Sequence, residues 1–291
     1  MRILILGASG LIGHRLMLTL REHFPDVFST IHGDRNELSH LKIFDSNTFY
    51  NTDIRDFARL ESIMTSTNPD IIINCVGITK RRQEITDLYS AILVNSAFPH
   101  KLSEWAKLHE KKVIHFSTDC VFDGNEGGYT EESNTNAKDI YGKTKALGEI
   151  KYEHTLTIRS SFIGRELKFH SELLEWFISQ KSKNVKGFTN ALYSGVSTFF
   201  LSKTVALIIE QHADLNGLYQ LATDSPISKF ELLSLVKNVF QLDTTIIPDD
   251  TFVSKPTLNG SKLKNILSLR IPDWPEMLDE IAQNSVLYLK V

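Results

Sequence analysis

Strand-like and helix-like patterns alternate along about the first 160 residues of the chain. Short runs rich in β-formers and poor in interior charges are RILIL (2–6), VFSTI (27–31), PDIIINCVG (69–77), KVIHFST (112–118) and TLTIRSSFIG (155–164). Helical periodicity occupies 11–24, 53–66, 87–110 and 139–153. This alternation predicts βαβ units, and therefore an α/β fold with a doubly wound, Rossmann-type parallel sheet covered by helices on both faces.

Three glycines follow the first predicted strand and open the first predicted helix. Gly7, Gly10 and Gly13 have the spacing G-x-x-G-x-x-G within ILILGASGLIGHRL. Such a loop lets backbone approach a pyrophosphate, and the helix N-terminus supplies N–H donors and partial positive charge. The alternative is a tight turn without a ligand. Asp34 would accept from a ribose 2′-hydroxyl, whereas Arg35 would pair with a 2′-phosphate, and we favour NADPH with NADH as the alternative.

The alternation of strand-like and helix-like patterns ends after Gly164, and helical segments there mix with irregular stretches. We therefore predict a dinucleotide-binding Rossmann domain over residues 1–163. Residues 164–291 are predicted to form mainly a smaller, C-terminal substrate-binding region, with some segments returning to the Rossmann domain. Ligands of open α/β sheets bind at the carboxyl ends of the strands, which this region would cap.

Composition narrows the classes of partner. The 291 residues carry a formal net charge of −3, which gives no electrostatic footprint for nucleic acid or an anionic membrane. The two cysteines, Cys75 and Cys120, belong to no C-x-x-C pair, so free thiols in a reducing cytoplasm are expected and a metal site is not. The apolar runs are too short to span a bilayer, and the N-terminus lacks the features of a signal peptide.

Two later motifs carry candidate chemistry. Tyr141 and Lys145 lie four residues apart in IYGKTKALGE and so share one face of a helix, although an exposed surface helix would show the same spacing. The strand ending at Ser117 leads into Thr118 and Asp119, which are also ordinary turn residues. An ammonium near a tyrosine favours the phenolate and makes the phenol a better acid. A nearby threonine hydroxyl would stabilise a developing alkoxide.

The glycine loop, STDCVFDG, YGKTK and RSSFIG occur in the order found in extended short-chain dehydrogenase/reductases. Within that superfamily the chain most resembles the dTDP-4-dehydrorhamnose reductases, over nearly its whole length. The resemblance implies an NAD(P)H-dependent reductase of a 4-keto-6-deoxy sugar nucleotide, in surface polysaccharide or deoxysugar biosynthesis, and it allows a homodimer. It makes Thr118, Tyr141 and Lys145 the catalytic triad.

The resemblance also distributes binding roles. The residues expected around the cofactor are Gly7, Ser9, Gly10, Leu11, Ile12, Gly13, Arg35, Asp53, Ile54, Cys75, Val76, Gly77, Asn95, Ser117, Tyr141 and Lys145. Asp53 could instead be the N-cap of the helix that follows it. The residues expected near the sugar nucleotide are Lys80, Arg81, Arg82, Thr118, Asp119, Cys120, Phe162, Asn190 and Tyr193.

Departures from the family pattern all fall on the substrate side. Cys120 stands where the family usually has tyrosine, Phe162 where it has tryptophan, and TNALYSGVST replaces its DQ-x-G-x-PT loop. The cluster Lys80 to Arg82 is also unusual, with a solvated loop as its alternative. We infer the same reaction on a different sugar nucleotide. Competing interpretations are a sugar-nucleotide 4,6-dehydratase or 4-epimerase, and a non-catalytic NADP-binding subunit resembling the regulatory subunit of methionine adenosyltransferase.

Overall fold

A computed structural model of the chain describes residues 1–38, 41 and 43–288. The chain forms two compact units. The first comprises Met1–Ser117, Asp139–Ile158 and Ser202–Leu218, and the second comprises Thr118–Lys138, Arg159–Leu201 and Tyr219–Val291. The division of function between residues 1–163 and 164–291 stays a prediction, because the bounds of the compact units do not assign a ligand to either.

Seven strands form the main sheet. They are β1 (Arg2–Leu6), β2 (Asp26–Thr30), β3 (Thr48–Phe49), β4 (Ile71–Asn74), β5 (Lys112–Ser117), β6 (Thr155–Arg159) and, later in the chain, β11 (Gly217–Gln220). Their order is β11-β6-β5-β4-β1-β2-β3, and the pairs β1–β2, β1–β4, β2–β3 and β4–β5 are parallel. The strand order reverses between β1 and β4, as in a doubly wound sheet, which confirms the predicted fold class.

The central strands are apolar because both faces of the sheet are covered. Residues 3–6 of β1 and 71–73 of β4 are buried. On one face of the sheet, Leu4, Leu6 and Ile72 pack with helix residues into a core cluster. Members of that cluster from strands and helices include Leu4, Leu6, Leu60, Met64, Ile72, Phe98, Leu102 and Trp105. Burial of each such side chain contributes about 1.5–3 kcal/mol, so the core holds the carboxyl ends of the strands in place.

The α-helices of the first unit, up to residue 147, are α1 (Gly13–His23), α2 (Arg35–Leu38), α3 (Phe57–Thr67), α4 (Leu88–Ile92), α5 (Phe98–Leu108) and α6 (Ile140–Leu147). Helix α3 begins later than the sequence pattern suggested. Its N-cap is Asp56, whose side chain accepts a hydrogen bond from the Arg59 N–H. The alternative reading of Asp53 as the N-cap was therefore wrong.

The predicted continuous helix over 87–110 contains a π-helical segment, Leu93–Ala97, between α4 and α5. Its cause is Pro99, in the first turn of α5. Proline has no N–H to donate to the carbonyl of Asn95, and in a regular helix its ring would collide with that carbonyl. The wider turn avoids the collision, and the N–H of Phe98 bonds instead to Leu93 O, five residues back.

The remaining elements are shorter or lie later in the chain. The strands are β7 (Phe162–Ile163), β8 (Asn184–Phe188), β9 (Leu192–Tyr193), β10 (Val196–Ser197), β12 (Ile227–Ser228) and β13 (Thr245–Asp249). The helices are α7 (Leu173–Ile178), α8 (Thr198–Gln211), α9 (Lys229–Val239), α10 (Ser261–Ile266) and α11 (Trp274–Gln283). The small strands pair as β7–β10, β8–β13 and β9–β12. Within the described ranges, no helix combines the length and apolar character needed to cross a membrane.

Candidate active site

The glycine turn after β1 has the geometry of a phosphate cradle. Gly7 adopts a φ of +79°, and the N–H of Gly10 donates to Gly7 O at 3.1 Å. A Cβ on Gly7 would lie 3.0 Å from Val76 Cγ2, and a Cβ on Gly13 would overlap the carbonyl oxygen of Gly7. Gly10 is exposed, whereas Ser9, Leu11 and Ile12 are half-buried in the turn. The turn therefore presents backbone to solvent at the start of α1, where an anion can bind.

The loop after β4 lies against this turn. The N–H of Cys75 donates to Leu6 O at 3.0 Å, and Val76 contacts the Gly7 position as described above. Asn95, in the π-helical segment, holds the next residue: its Oδ1 accepts from the N–H of Ile78 at 2.9 Å, and its Nδ2 donates to Ile78 O at 3.0 Å. The structure thus brings the predicted residues 75–77 and Asn95 together with the glycine turn.

Further residues expected around the cofactor lie in the segments that follow β2 and β3. The Arg55 guanidinium donates to both carboxylate oxygens of Asp53, at 3.0, 2.9 and 2.5 Å, and this partner holds the pKa of the carboxyl down at about 2. Ile54 is buried. Arg35 is exposed and lies 6.0 Å from the ring centre of Tyr50, and Asp34 accepts from the N–H of Asn36. Arg35 is therefore accessible to an added phosphate.

Helix α6 places Tyr141 and Lys145 on one face, as their spacing predicted. Asp139 is its N-cap and accepts from the N–H of Gly142 at 2.9 Å. Tyr141 is half-buried, whereas Lys145 is only 6% exposed and its Nζ donates to Phe116 O at 2.6 Å. Burial lowers the pKa of Lys145 to about 8, against the smaller opposing effects of Glu149 and Cys75. Lys145 is thus a desolvated cation and not a residue of an exposed surface helix.

Ser117 has a partner that the sequence analysis missed. Its hydroxyl donates to the Glu149 carboxylate at 2.7 Å, and that carboxylate is one of the charges acting on Lys145. In the sequence, Glu149 is distinguished only by its place between Gly148 and Ile150, within the predicted helix that carries Tyr141 and Lys145. Ile150 is buried in the structure. On β5, His115 is also buried, and desolvation together with the charge of Lys145 lowers the pKa of its imidazole well below the ordinary range.

The basic cluster after β4, Lys80 to Arg82, includes one residue that forms an ion pair. Lys80 Nζ lies 2.8 Å from Asp139 Oδ2, so this lysine pairs with the N-cap of α6. Lys80 and Arg81 are exposed and Arg82 is half-buried. The cluster therefore adjoins the helix that carries Tyr141, although Lys80 already has an anionic partner.

The second unit holds the other predicted substrate residues. The Thr118 hydroxyl donates to Asp119 Oδ1 at 3.0 Å and accepts from the N–H of Cys120 at 3.1 Å. Tyr193 is buried, and desolvation, with the charges of Asp119, Glu172 and Cys120, raises the pKa of its phenol well above the ordinary value. Asp119 and Cys120 therefore act electrostatically on the Tyr193 phenol.

Two residues that the sequence did not single out also act on Tyr193, and the remaining predicted residues of this unit are Phe162 and Asn190. Glu172 acts on Tyr193 through its charge, and Lys229 Nζ lies 3.9 Å from the centre of the Tyr193 ring. Phe162 pairs with Val196 between β7 and β10. Asn190 is exposed and donates to Asp250 O at 3.1 Å. Among the residues that the structure covers, no group of three or more His, Cys, Asp or Glu side chains is placed to hold a metal ion.

Comparisons with known proteins identify the family to which the chain is similar. The family described as the RmlD substrate binding domain matches residues 1–286. A dTDP-4-dehydrorhamnose reductase from Aggregatibacter actinomycetemcomitans is 34% identical, over 96% of this chain and 98% of its own length.

Solved structures show the same fold. A hypothetical dTDP-4-dehydrorhamnose reductase from Sulfolobus tokodaii has a TM-score of 0.79 at 26% identity, covering 94% of this chain and 98% of its own. A dTDP-4-dehydrorhamnose reductase from Bacillus anthracis, solved in complex with NADP, has a TM-score of 0.79 at 21% identity, with 96% and 98% covered.

Proposed function

Because the chain belongs to the RmlD substrate binding domain family, we propose that it is an NAD(P)H-dependent reductase of a 4-keto-6-deoxy sugar nucleotide. The observation that carries this proposal is the buried Lys145 ammonium, one helical turn from Tyr141 and bonded to the carbonyl at the end of β5. Burying a cation has a large free-energy cost, so its retention beside a tyrosine favours a catalytic role. The pathway we propose is surface polysaccharide or deoxysugar biosynthesis, in the cytoplasm.

The glycine turn fits a dinucleotide. A side chain at Gly7 would lie too close to Val76, so the turn requires glycine there. Gly10 is exposed to solvent at the start of α1. When bound there, a reduced nicotinamide would supply the hydride for carbonyl reduction. We favour NADPH, because Arg35 is exposed at the start of α2, which follows β2, and the structurally similar reductase from Bacillus anthracis is bound to NADP.

Within this proposal, Tyr141 gives its phenolic proton to the carbonyl oxygen as negative charge develops there. Lys145 favours the phenolate that remains, because an adjacent cation stabilises it. Thr118 is assigned a hydrogen bond to the same oxygen, for which its hydroxyl must leave Asp119. The sugar nucleotide is assigned to Lys80, Arg81 and Arg82, and to the residues grouped around Tyr193.

The first test is the loss of the Tyr141 hydroxyl. We expect Tyr141→Phe to lower kcat by about 10²- to 10⁴-fold, because it removes the general acid and keeps the ring. NADPH oxidation is measured against dTDP-, UDP-, GDP- and CMP-linked keto sugars. Tyr89→Phe, at a tyrosine that is 75% exposed, is the matched control and should retain wild-type rates. A Tyr141→Phe enzyme within a few-fold of wild type would contradict the assignment.

A second candidate is a nucleotide-binding subunit without turnover. The Thr118–Asp119 hydrogen bond favours it, since the hydroxyl assigned to the substrate is already donated to a carboxylate. NADPH binding without oxidation by any keto sugar in the panel, together with a co-purifying enzyme, would support this candidate. Purified protein that retains a nicotinamide and releases no oxidised cofactor would indicate a 4-epimerase instead.

A further inference from the structure

A buried carboxylate lies just beyond the helix that carries Tyr141 and Lys145. Helix α6 ends at Leu147 and is capped by Gly148, where an added Cβ would overlap the carbonyl oxygen of Asn95. Only glycine fits this contact, and it allows the chain to turn directly into Glu149. The Glu149 side chain is 3% exposed, although carboxylates are rarely buried without a specific partner.

Glu149 is held by the strand on which Lys145 also depends. The Ser117 hydroxyl, 2% exposed, donates to Glu149 Oε1 at 2.7 Å, while the preceding residue, Phe116, accepts from Lys145 Nζ at 2.6 Å. Consecutive residues at the end of β5 thus fix a carboxylate and an ammonium. The exposed Lys151 also lies near the carboxylate, with its Nζ 4.0 Å from Glu149 Oε2.

The titratable groups around Lys145 come from three elements. Glu149 follows α6, Cys75 follows β4 and His115 lies on β5, with Tyr141 on α6 itself. Burial lowers the pKa of the Lys145 ammonium, and Glu149 is the largest of the effects that raise it. Burial raises the pKa of the Cys75 thiol and desolvation lowers that of the His115 imidazole, so both are neutral near pH 7. Glu149 is therefore the one anion among these groups that can balance the ammonium.

We propose that Glu149, anchored by Ser117, is a positioning residue that keeps the Lys145 ammonium charged and so sustains its action on Tyr141. The proposal rests on the proposed reductase function, and it gives Ser117 a role other than direct cofactor contact. It concerns a proton equilibrium within the protein and requires no further reactant.

The charge on Lys145 can be measured without any substrate. In protein labelled with ¹³C-lysine, the Lys145 side-chain resonance, assigned by its loss in Lys145→Met, is followed from pH 6 to pH 11. We expect Glu149→Gln to lower its titration midpoint by about one pH unit or more, since the amide can still accept from Ser117 but carries no charge. Ser117→Ala, which frees the carboxylate, should lower the midpoint by a smaller amount. Glu153→Gln removes an exposed carboxylate four residues on and should leave the midpoint unchanged.

The same variants are then tested for reduction of a sugar nucleotide. We expect kcat of Glu149→Gln to be within a few-fold of wild type at pH 6.5 and about tenfold lower at pH 8.5, because Lys145 then loses its proton at a lower pH. A uniform loss of kcat at every pH, with an unmoved Lys145 titration, would show a structural role only and overturn the proposal. A shifted titration in a protein that reduces no keto sugar would support the Glu149–Lys145 coupling and contradict the reductase function.

Discussion

At the residue scale, Gly13 and Gly10 of the glycine turn differ in whether the fold leaves room for a side chain. A Cβ on Gly13 would overlap the carbonyl oxygen of Gly7, whereas a Cβ on Gly10 would only reach the same atom at 3.4 Å, an ordinary contact. Gly13 is thus required by close packing of α1 against the strand end. Gly10 is not required by the fold, so its place in the motif points to a ligand.

We therefore expect the two glycines to separate stability from binding. Gly13→Ala should lower the free energy of unfolding by about 2–4 kcal/mol, because a rigid backbone atom must move. Gly10→Val should lower the free energy of unfolding by less than about 1 kcal/mol. It should nevertheless lower the affinity for NADPH at least about tenfold, because the valine side chain would occupy the place of the pyrophosphate. Thermal unfolding and fluorescence titration with NADPH measure the two effects. Unchanged NADPH affinity in folded Gly10→Val would remove the turn from the binding site.

The sequence could identify Tyr141 and Lys145 as a pair but could not show their surroundings. Spacing places two side chains on one helix face, and it contains no information on which strand end lies beneath them. The bond from Lys145 to Phe116 O and that from Ser117 to Glu149 join positions 29 and 32 residues apart, so they depend on the packing of α6 against β5. Glu149 was missed for this reason.

At the element scale, helix α6 is fixed at its N-terminus by two interactions of one carboxylate. Asp139 caps the helix through the N–H of Gly142 and pairs with Lys80, whose side chain is 62% exposed. A cap of this kind contributes about 1 kcal/mol, whereas an exposed ion pair contributes at most about 1 kcal/mol and often nothing. The helix should therefore need Asp139 more than it needs Lys80.

This difference allows a capping role and a substrate role to be told apart. Asp139→Ala should lower the free energy of unfolding by about 1 kcal/mol, and Asp139→Asn should cost less because its amide oxygen can still accept. Lys80→Met should change stability by less than about 0.5 kcal/mol and raise KM more than it lowers kcat, since diphosphate binding contributes almost equally to ground and transition states.

The neighbouring arginines provide the comparison. If Arg81→Met and Arg82→Met raise KM and Lys80→Met does not, then Lys80 serves only the helix cap. If Lys80, Arg81 and Arg82 can all be neutralised without a change in KM, the cluster is a solvated loop and the sugar nucleotide is bound elsewhere.

The π-helical segment shows where periodicity alone misleads at this scale. An apolar period of 3.6 is typical of both a regular helix and one with a single wide turn, so residues 87–110 suggested one continuous helix. Pro99 was the available signal, because a helix interior cannot satisfy the carbonyl four residues before a proline. The wide turn places Asn95 where its side chain bonds Ile78 and Thr144. That arrangement links the loop after β4 to α6.

At the scale of the whole molecule, the sequence predicted the parallel sheet but not the path of the chain between the two compact units. Strands β1 and β4 are nearly continuous apolar runs and could be predicted from them, whereas the two residues of β3 are too few to show such a run. The segment Thr118–Lys138, by contrast, belongs to the second unit although it lies within the predicted Rossmann domain of residues 1–163. Its residues are polar and rich in turns, and such segments carry no periodicity that would assign them to either unit.

The buried Lys145 also makes the stability of the molecule depend on pH. Its pKa is lowered from 10.5 to about 8 in the folded state, so the unfolded chain binds one proton more between these values. The contribution of Lys145 to stability therefore rises with pH in this window, by about 1.4 kcal/mol per pH unit, and it costs the folded state about 3 kcal/mol below pH 8. The Cys75 thiol, whose pKa burial raises, opposes this rise at the upper end of the window, so each variant is compared with wild type at the same pH. Relative to wild type, Lys145→Met should lack the Lys145 contribution, whereas Lys143→Met, at an exposed lysine of the same helix, should follow the wild-type profile. The measurement is urea denaturation at pH 7, 8, 9 and 10, followed by the ¹⁹F resonance of fluorotryptophan at Trp105, which lies in the first unit. Parallel pH profiles for wild type and Lys145→Met would mean that this ammonium is solvated in the folded protein, and would remove the desolvated cation on which the proposed function rests.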